Sequence, residues 1–259
     1  MAEIKTLERP PLSAWQVESL RMTAFPSPAA QIEAEPRWWT YLVGEPSETQ
    51  VTQRKQGIRR EEGSFANGRL LLTIQPSRVD WLYRAEDDAE SDREGPAMIG
   101  PLPESLMTFS QLMTRWLESR ECPVTQRLAF GATLWQPVDD RQTGYRQLAA
   151  YLPGLQLSLE GATDFLYQIN RARNSCSAIA GLRINRLSKW SVSFWAIAEL
   201  PLVPETRLRV RQKGTGCRLE LDINTHPDFP DDLPQDQLGQ IFNELVTLGQ
   251  EIAREGDIP

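Results

Sequence analysis

Apolar and polar residues alternate with a period of two over long stretches of the chain, and that period predicts strands. Over 14–25, Trp15, Val17, Ser19, Arg21, Thr23 and Phe25 share one strand face, opposite Gln16, Glu18, Leu20, Met22 and Ala24. Pro26-Ser27-Pro28 ends that strand, and a short helix reaching Val43 follows, anchored by Trp38, Trp39 and Leu42. Residues 50–62, 65–75 and 77–84 read as three strands, punctuated at Asn67-Gly68 and Pro76-Ser77. Residues 86–94 hold six acids and one arginine, the mark of an exposed loop. The period then lengthens to that of a helix over 103–120, where Leu106, Phe109, Met113 and Trp116 form one stripe and Pro103 sits in the first turn.

The same order returns in the second half. A strand over 124–138 presents Leu128, Phe130, Ala132 and Leu134 on one face, and a short helix over 144–152 ends at Pro153-Gly154. Strands follow at 164–173, 178–184, 189–200, 206–213 and 217–224, and a helix over 235–254 aligns Leu238, Ile241, Leu245, Leu248 and Ile252. Phe242 and Val246 widen that stripe, so the helix is expected to pack on the sheet of its own chain rather than in a narrow coiled-coil seam. Each half therefore reads as strand, helix, antiparallel strands, helix, with the halves at 1–120 and 121–259. The expected fold class is α+β: two pseudo-duplicated units forming one curved antiparallel sheet in a compact unit, with the helices on one face. The duplication is one of pattern and not of residues. The topology resembles TATA-box-binding-protein-like saddles and gyrase-inhibitor-like small-molecule-binding folds, a likeness that carries no function by itself.

Composition narrows the function classes. The chain has 259 residues, 40% of them hydrophobic and 24% charged, an ordinary globular balance. It holds no apolar run of membrane-spanning length, and the polar start is unlike a signal peptide, so a cytoplasmic protein with no membrane partner is expected. Cys122, Cys176 and Cys217 are odd in number and far apart, which suits neither a disulfide framework nor a zinc site. The single histidine lies in His226-Pro227-Asp228, similar to the J-domain loop of Hsp70 co-chaperones, but here it follows a strand instead of a basic helix. No nucleophile elbow, metal-ligand spacing or phosphate-binding glycine loop is present, and Gly214-Thr215-Gly216 is too short for the last. No cofactor is expected, and nothing singles out a catalytic residue.

Charge is unevenly placed. Residues 165–219 hold ten basic residues and two acids, +8 within a chain of net charge −7. Arg207, Arg209, Arg211 and Lys213 alternate with Leu208 and Val210, which predicts four cations on one strand face and the aliphatics behind. Arg171, Arg173, Arg186, Lys189 and Trp190 complete the candidate ligand-binding set, with Tyr167, Phe194 and Trp195 nearby. One reading is a solvated sheet face paired across strands with Glu199 or Glu220. The other is an anion-binding face, since guanidinium groups grip phosphate bidentately and stack on bases. A basic aromatic sheet suits a nucleotide or single-stranded nucleic acid, while the overall negative charge argues against non-specific duplex binding. An acidic peptide, from a partner or from 86–94, is a third occupant.

Ile-Asn-Arg occurs twice, at Ile169-Asn170-Arg171 and Ile184-Asn185-Arg186. With Gln75-Pro76-Ser77-Arg78-Val79-Asp80-Trp81 it resembles a sporadically distributed, uncharacterised bacterial family of about 260 residues. That resemblance implies no catalytic residues, and its patchy distribution points to mobile or defence-associated genes. The expected function is a non-catalytic binding protein with a basic aromatic sheet face for a phosphate-bearing or acidic ligand. The alternatives are a structural subunit of a multi-protein complex, including one directed at foreign DNA, and an enzyme using carboxylates and arginines in a sheet-lined cleft.

Overall fold

The computed structural model describes residues 8–30, 32, 36–86, 96–155, 162–199 and 209–258, leaving aside the side chains of 197–199 and 209–213. The first half runs β1 (Gln16–Pro26), α1 (Trp38–Val43), β2 (Thr49–Gln53), β3 (Ile58–Phe65), β4 (Gly68–Gln75), β5 (Arg78–Arg84), β6 (Gly100–Pro101) and α2 (Leu102–Leu117). The second runs β7 (Thr125–Val138), α3 (Arg141–Tyr151), β8 (Leu166–Asn170), β9 (Arg173–Asn174), β10 (Arg183–Glu199), β11 (Arg209–Thr225) and α4 (Leu238–Glu255). All pairings are antiparallel, in the order β2-β3-β4-β5-β1-β7-β11-β10-β8, with β6 beside β1 and β9 beside β10. The expected α+β class with an open, curved sheet is therefore the observed one. The first strands of the two halves, β1 and β7, pair at the centre, and the sheet continues outward through β5 on one side and β11 on the other.

The helices gather on one face. There α4 packs on β7, β11 and β10, α3 on the same three strands, α2 on β1 and α4, and α1 on α2. The sheet side chains beneath them are the fully buried Leu20, Met22, Leu70, Leu72, Trp81, Leu128, Leu219 and Ile223. The stripe expected on α4 is buried throughout: Leu238, Ile241, Leu245 and Leu248 are fully enclosed and Ile252 nearly so. Replacing Leu245 by Ala removes buried surface and leaves a cavity, with an expected loss of about 2–5 kcal/mol in unfolding free energy. Urea titration of monomeric protein measures it. An unchanged midpoint with loss of self-association would make α4 an oligomerisation element instead.

Four sequence expectations need correction. The residues over 14–25 do not keep one alternation, because a register shift between Val17 and Ser19 in the β1–β7 pairing reverses the faces. Such a bulge adds one residue to a strand and re-aims all that follow. Trp15 and Val17 thus join Leu20, Met22 and Ala24 in the core, while Ser19 and Arg21 come to the opposite face. The strand expected over 50–62 is a hairpin, β2 and β3, turned by a short 3-10 segment and by Gly57 at φ 64°. The strands expected at 178–184 and 189–200 are replaced by a turn region and the single β10. Those at 206–213 and 217–224 are, from Arg209 on, the single β11, residues 206–208 lying outside the described residues, and its glycines are not a turn. Gly214 lies under the indole of Trp195 and Gly216 under that of Trp135, where a Cβ would collide with the rings. The acidic loop expected over 86–94 lies, beyond Glu86, outside the described residues.

Candidate functional site

The sheet face away from the helices has no described element packed on it, and register sets out its side chains in rows. In the central row Gly131 of β7 stands opposite Arg21 of β1 on one side and Asp222 of β11 on the other. Leu82 of β5 lies beyond Arg21, and Leu187 of β10 beyond Asp222. The next row reads Ser19, Thr133, Glu220, Lys189 and Gln168 across β1, β7, β11, β10 and β8. Glycine, serine and threonine at the middle of a pleated surface leave its floor low, and the longer side chains around them form walls. The result is a depression of about 420 Å³ lined by both rows.

Its charges fall into two groups. Lys189 Nζ donates to both Glu220 oxygens at 3.1 and 3.3 Å, and Arg218 Nε donates to Glu220 at 3.2 Å. Arg218 also reaches Glu18, 2.9 Å away, so two cations and two carboxylates close a neutral chain. These groups are partly exposed, and each pair contributes about 0–1 kcal/mol to stability. The second group is unmatched. Arg21 is exposed and makes no hydrogen bond or ion pair among the described residues; its guanidinium lies across Gly131, 3.6 Å from where a Cβ would stand. Asp222 accepts one hydrogen bond, from Asn224 Nδ2 at 2.9 Å, and has no cation partner among the described residues. The absence of a side chain at residue 131 leaves the space over which the Arg21 guanidinium lies.

Aromatic surface lies on the same face. Trp135, opposite Arg218 in register, and Trp195, opposite Gly214, cover the two glycines of β11. At the far end of β1, Arg127 lies 4.9 Å above the Phe25 ring. Beyond the last β7 partner, Val138, only β10 and β11 remain paired, which makes a two-stranded arm. Arg209, Arg211 and Lys213 belong to this arm.

The described candidate residues read from sequence are distributed over four places: the depression, the end of α4, the interior and the two-stranded arm. Lys189 alone enters the depression. Arg171, Arg173 and Arg186 are brought together at the edge of the opposite, helix-covered face, against the end of α4. Arg171 Nη2 donates to Asp257 at 2.8 Å, and Asp257 also accepts from the Tyr167 hydroxyl at 2.6 Å. Hydrogen bonding from Arg171 holds the Asp257 carboxyl below the usual carboxylate range and raises the guanidinium in return. Arg173 faces Glu251 at 3.5 Å. Arg186 is buried 4.0 Å from the same carboxylate, and its pKa is lowered first by desolvation and then by the nearby Arg173. Trp190 is fully enclosed: its ring stacks on Tyr151 at 5.4 Å and its Nε1 donates to Ser188 at 3.1 Å. Arg207 and Leu208 lie outside the described residues, as do the side chains of Arg209, Val210, Arg211 and Lys213. The β10–β11 register shifts between Ile197 and Ala198, leaving Arg211 without an opposite residue.

Sequence reasoning missed Arg21, Asp222 and the small-residue floor. Gly131 and Thr133 alternate with buried Phe130, Ala132 and Leu134, a pattern that already marks them for the outer face. Of the remaining motifs, His226 sits in the turn after β11 and its Nδ1 accepts from the Asp228 backbone N–H at 3.2 Å. Burial pushes the Cys122 and Cys217 thiols up to about 12, away from reactivity at neutral pH. Among the described residues no helix is long and apolar enough to cross a membrane. Neither a family model nor a curated protein matches the chain.

Proposed function

We propose that this protein is a non-catalytic binding module whose open sheet face holds a phosphate-bearing ligand, a nucleotide or a single-stranded nucleic acid. One observation carries the reading: Arg21 is an unpaired guanidinium lying across a glycine in a depression whose other cation, Lys189, is already paired with Glu220. A guanidinium presents five donors in a planar fork that fits phosphate oxygens. The cation therefore has its full bonding capacity spare. Trp195, Phe25 and Arg127 supply surface on which unstacked bases rest, and the basic arm of β10 and β11 prolongs the face for a longer strand.

The test is titration of the purified protein with a fluorescent nucleotide and with a labelled single-stranded oligonucleotide, each at low and high salt. Binding is expected to weaken as salt rises. Arg21→Met should weaken it roughly 10–100-fold, the equivalent of about 1.5–3 kcal/mol for a charged hydrogen bond. Nucleotide binding alone would define a small-molecule site, and tighter oligonucleotide binding a strand-binding surface. No binding of either probe at low salt by folded protein would end the proposal.

A further inference from the structure

Asp222 is the part of the depression that phosphate does not explain. A carboxylate without a cation partner repels a phosphate, so beside Arg21 it requires a ligand that also brings hydrogen-bond donors. We infer that the depression reads guanine, with the ligand's phosphate on Arg21 and the Watson–Crick edge of the base on Asp222. The inference rests on the depression being a phosphate site.

The geometry is that of the central row. Neighbouring strands lie about 4.8 Å apart, so β1 and β11 stand about 10 Å apart across Gly131, which contributes no side chain. Arg21 lays its guanidinium across Gly131 from the β1 side and Asp222 stands on the β11 side, so cation and acceptor face the same depression. A carboxylate only accepts, and its two oxygens suit two parallel donors. Guanine offers such a pair, N1–H beside the N2 amine. Adenine and cytosine place a single exocyclic amine next to a ring acceptor, and uracil flanks one N–H with two carbonyls. Asn224 donates to one Asp222 oxygen and fixes the carboxylate without exhausting its lone pairs. The half-buried Leu187, directly beyond Asp222, gives the base an apolar neighbour.

Equilibrium binding of GMP, IMP and AMP decides the matter, because inosine lacks only the N2 amine. GMP is expected to bind most tightly and AMP most weakly, with a GMP-to-AMP ratio of roughly 5–150-fold, the range of one bidentate base contact. Asp222→Asn should bring that ratio close to one while salt-sensitive binding persists. Equal affinities of the wild-type protein for GMP and AMP, or a preference that survives in Asp222→Asn, would overturn the guanine reading and leave the phosphate reading standing. Failure of all three nucleotides to bind folded protein would overturn both. Thermal melting of Asp222→Asn confirms that the variant is folded.

Discussion

Trp190→Ala is expected to lower the unfolding free energy by about 3–5 kcal/mol, the range of a buried aromatic truncated to a methyl group. The indole is fully enclosed, with Tyr151 of α3 stacked on it at an interplanar angle of 27° and Trp15 meeting it edge-on at 6.2 Å. Trp15 in turn donates from Nε1 to the Ala253 carbonyl of α4 at 2.9 Å. Truncation therefore empties a junction where β10, α3, α4 and the chain before β1 meet, and rigid aromatic neighbours relax poorly into a cavity. Urea unfolding at neutral pH gives the value. The folded fraction should bind a ligand of the open face as the wild type does, since Trp190 lies on the opposite side of the sheet. A variant that kept its stability and lost ligand binding would return Trp190 to the binding site.

The second large effect is expected at the chain's end. Gly256 adopts φ 81° and ψ −156°, a region open essentially to glycine alone, and a Cβ there would collide with the Tyr151 carbonyl. Gly256→Ala should therefore cost more than the roughly 1–3 kcal/mol of backbone strain by itself. The close approach has a purpose: Asp257 N–H donates to that same carbonyl at 2.9 Å, which delivers the Asp257 carboxylate to Arg171 and Tyr167. The pH dependence follows from the sign of the shift. The folded pKa of Asp257 is depressed, so its stabilising contribution is full above the unfolded carboxyl pKa and is lost as pH falls through the lower folded value. Gly256→Ala should lower stability at neutral pH and flatten this acid-side loss together. Stability-against-pH curves for the two proteins check both, and parallel curves would show that Asp257 docks without the glycine.

The outline of the fold is legible in the period of the hydrophobic residues, because burial under helices on one face enforces alternation strand by strand. Helix stripes such as that of α4 are legible for the same reason. Four features were not. The bulge at Val17 and Ser19 reversed the sense of β1, so Arg21 was read as sharing a face with Trp15. Gly214 and Gly216 looked like punctuation because their covering indoles lie elsewhere in sequence. Cations clustered along the chain were read as clustered in space, although Arg186 and Lys189 are three residues apart on one strand and so point to opposite faces. Asp222 carried no local signal: its significance comes from standing across Gly131 from a residue of β1.

The central pairing of β1 with β7 has one more consequence. The strand order is mirrored about the β1–β7 pair, so in the central row Leu82 and Asp222 hold matching outer places beside Arg21 and Gly131. The strand order is therefore symmetric at the centre where the side chains are not. A duplicated scaffold with equivalent side chains would hold two ligand units per chain, or one in either of two directions. On the proposed reading, the single Arg21 and the single Asp222 would hold one ligand per chain and would give a bound strand a fixed polarity along the sheet.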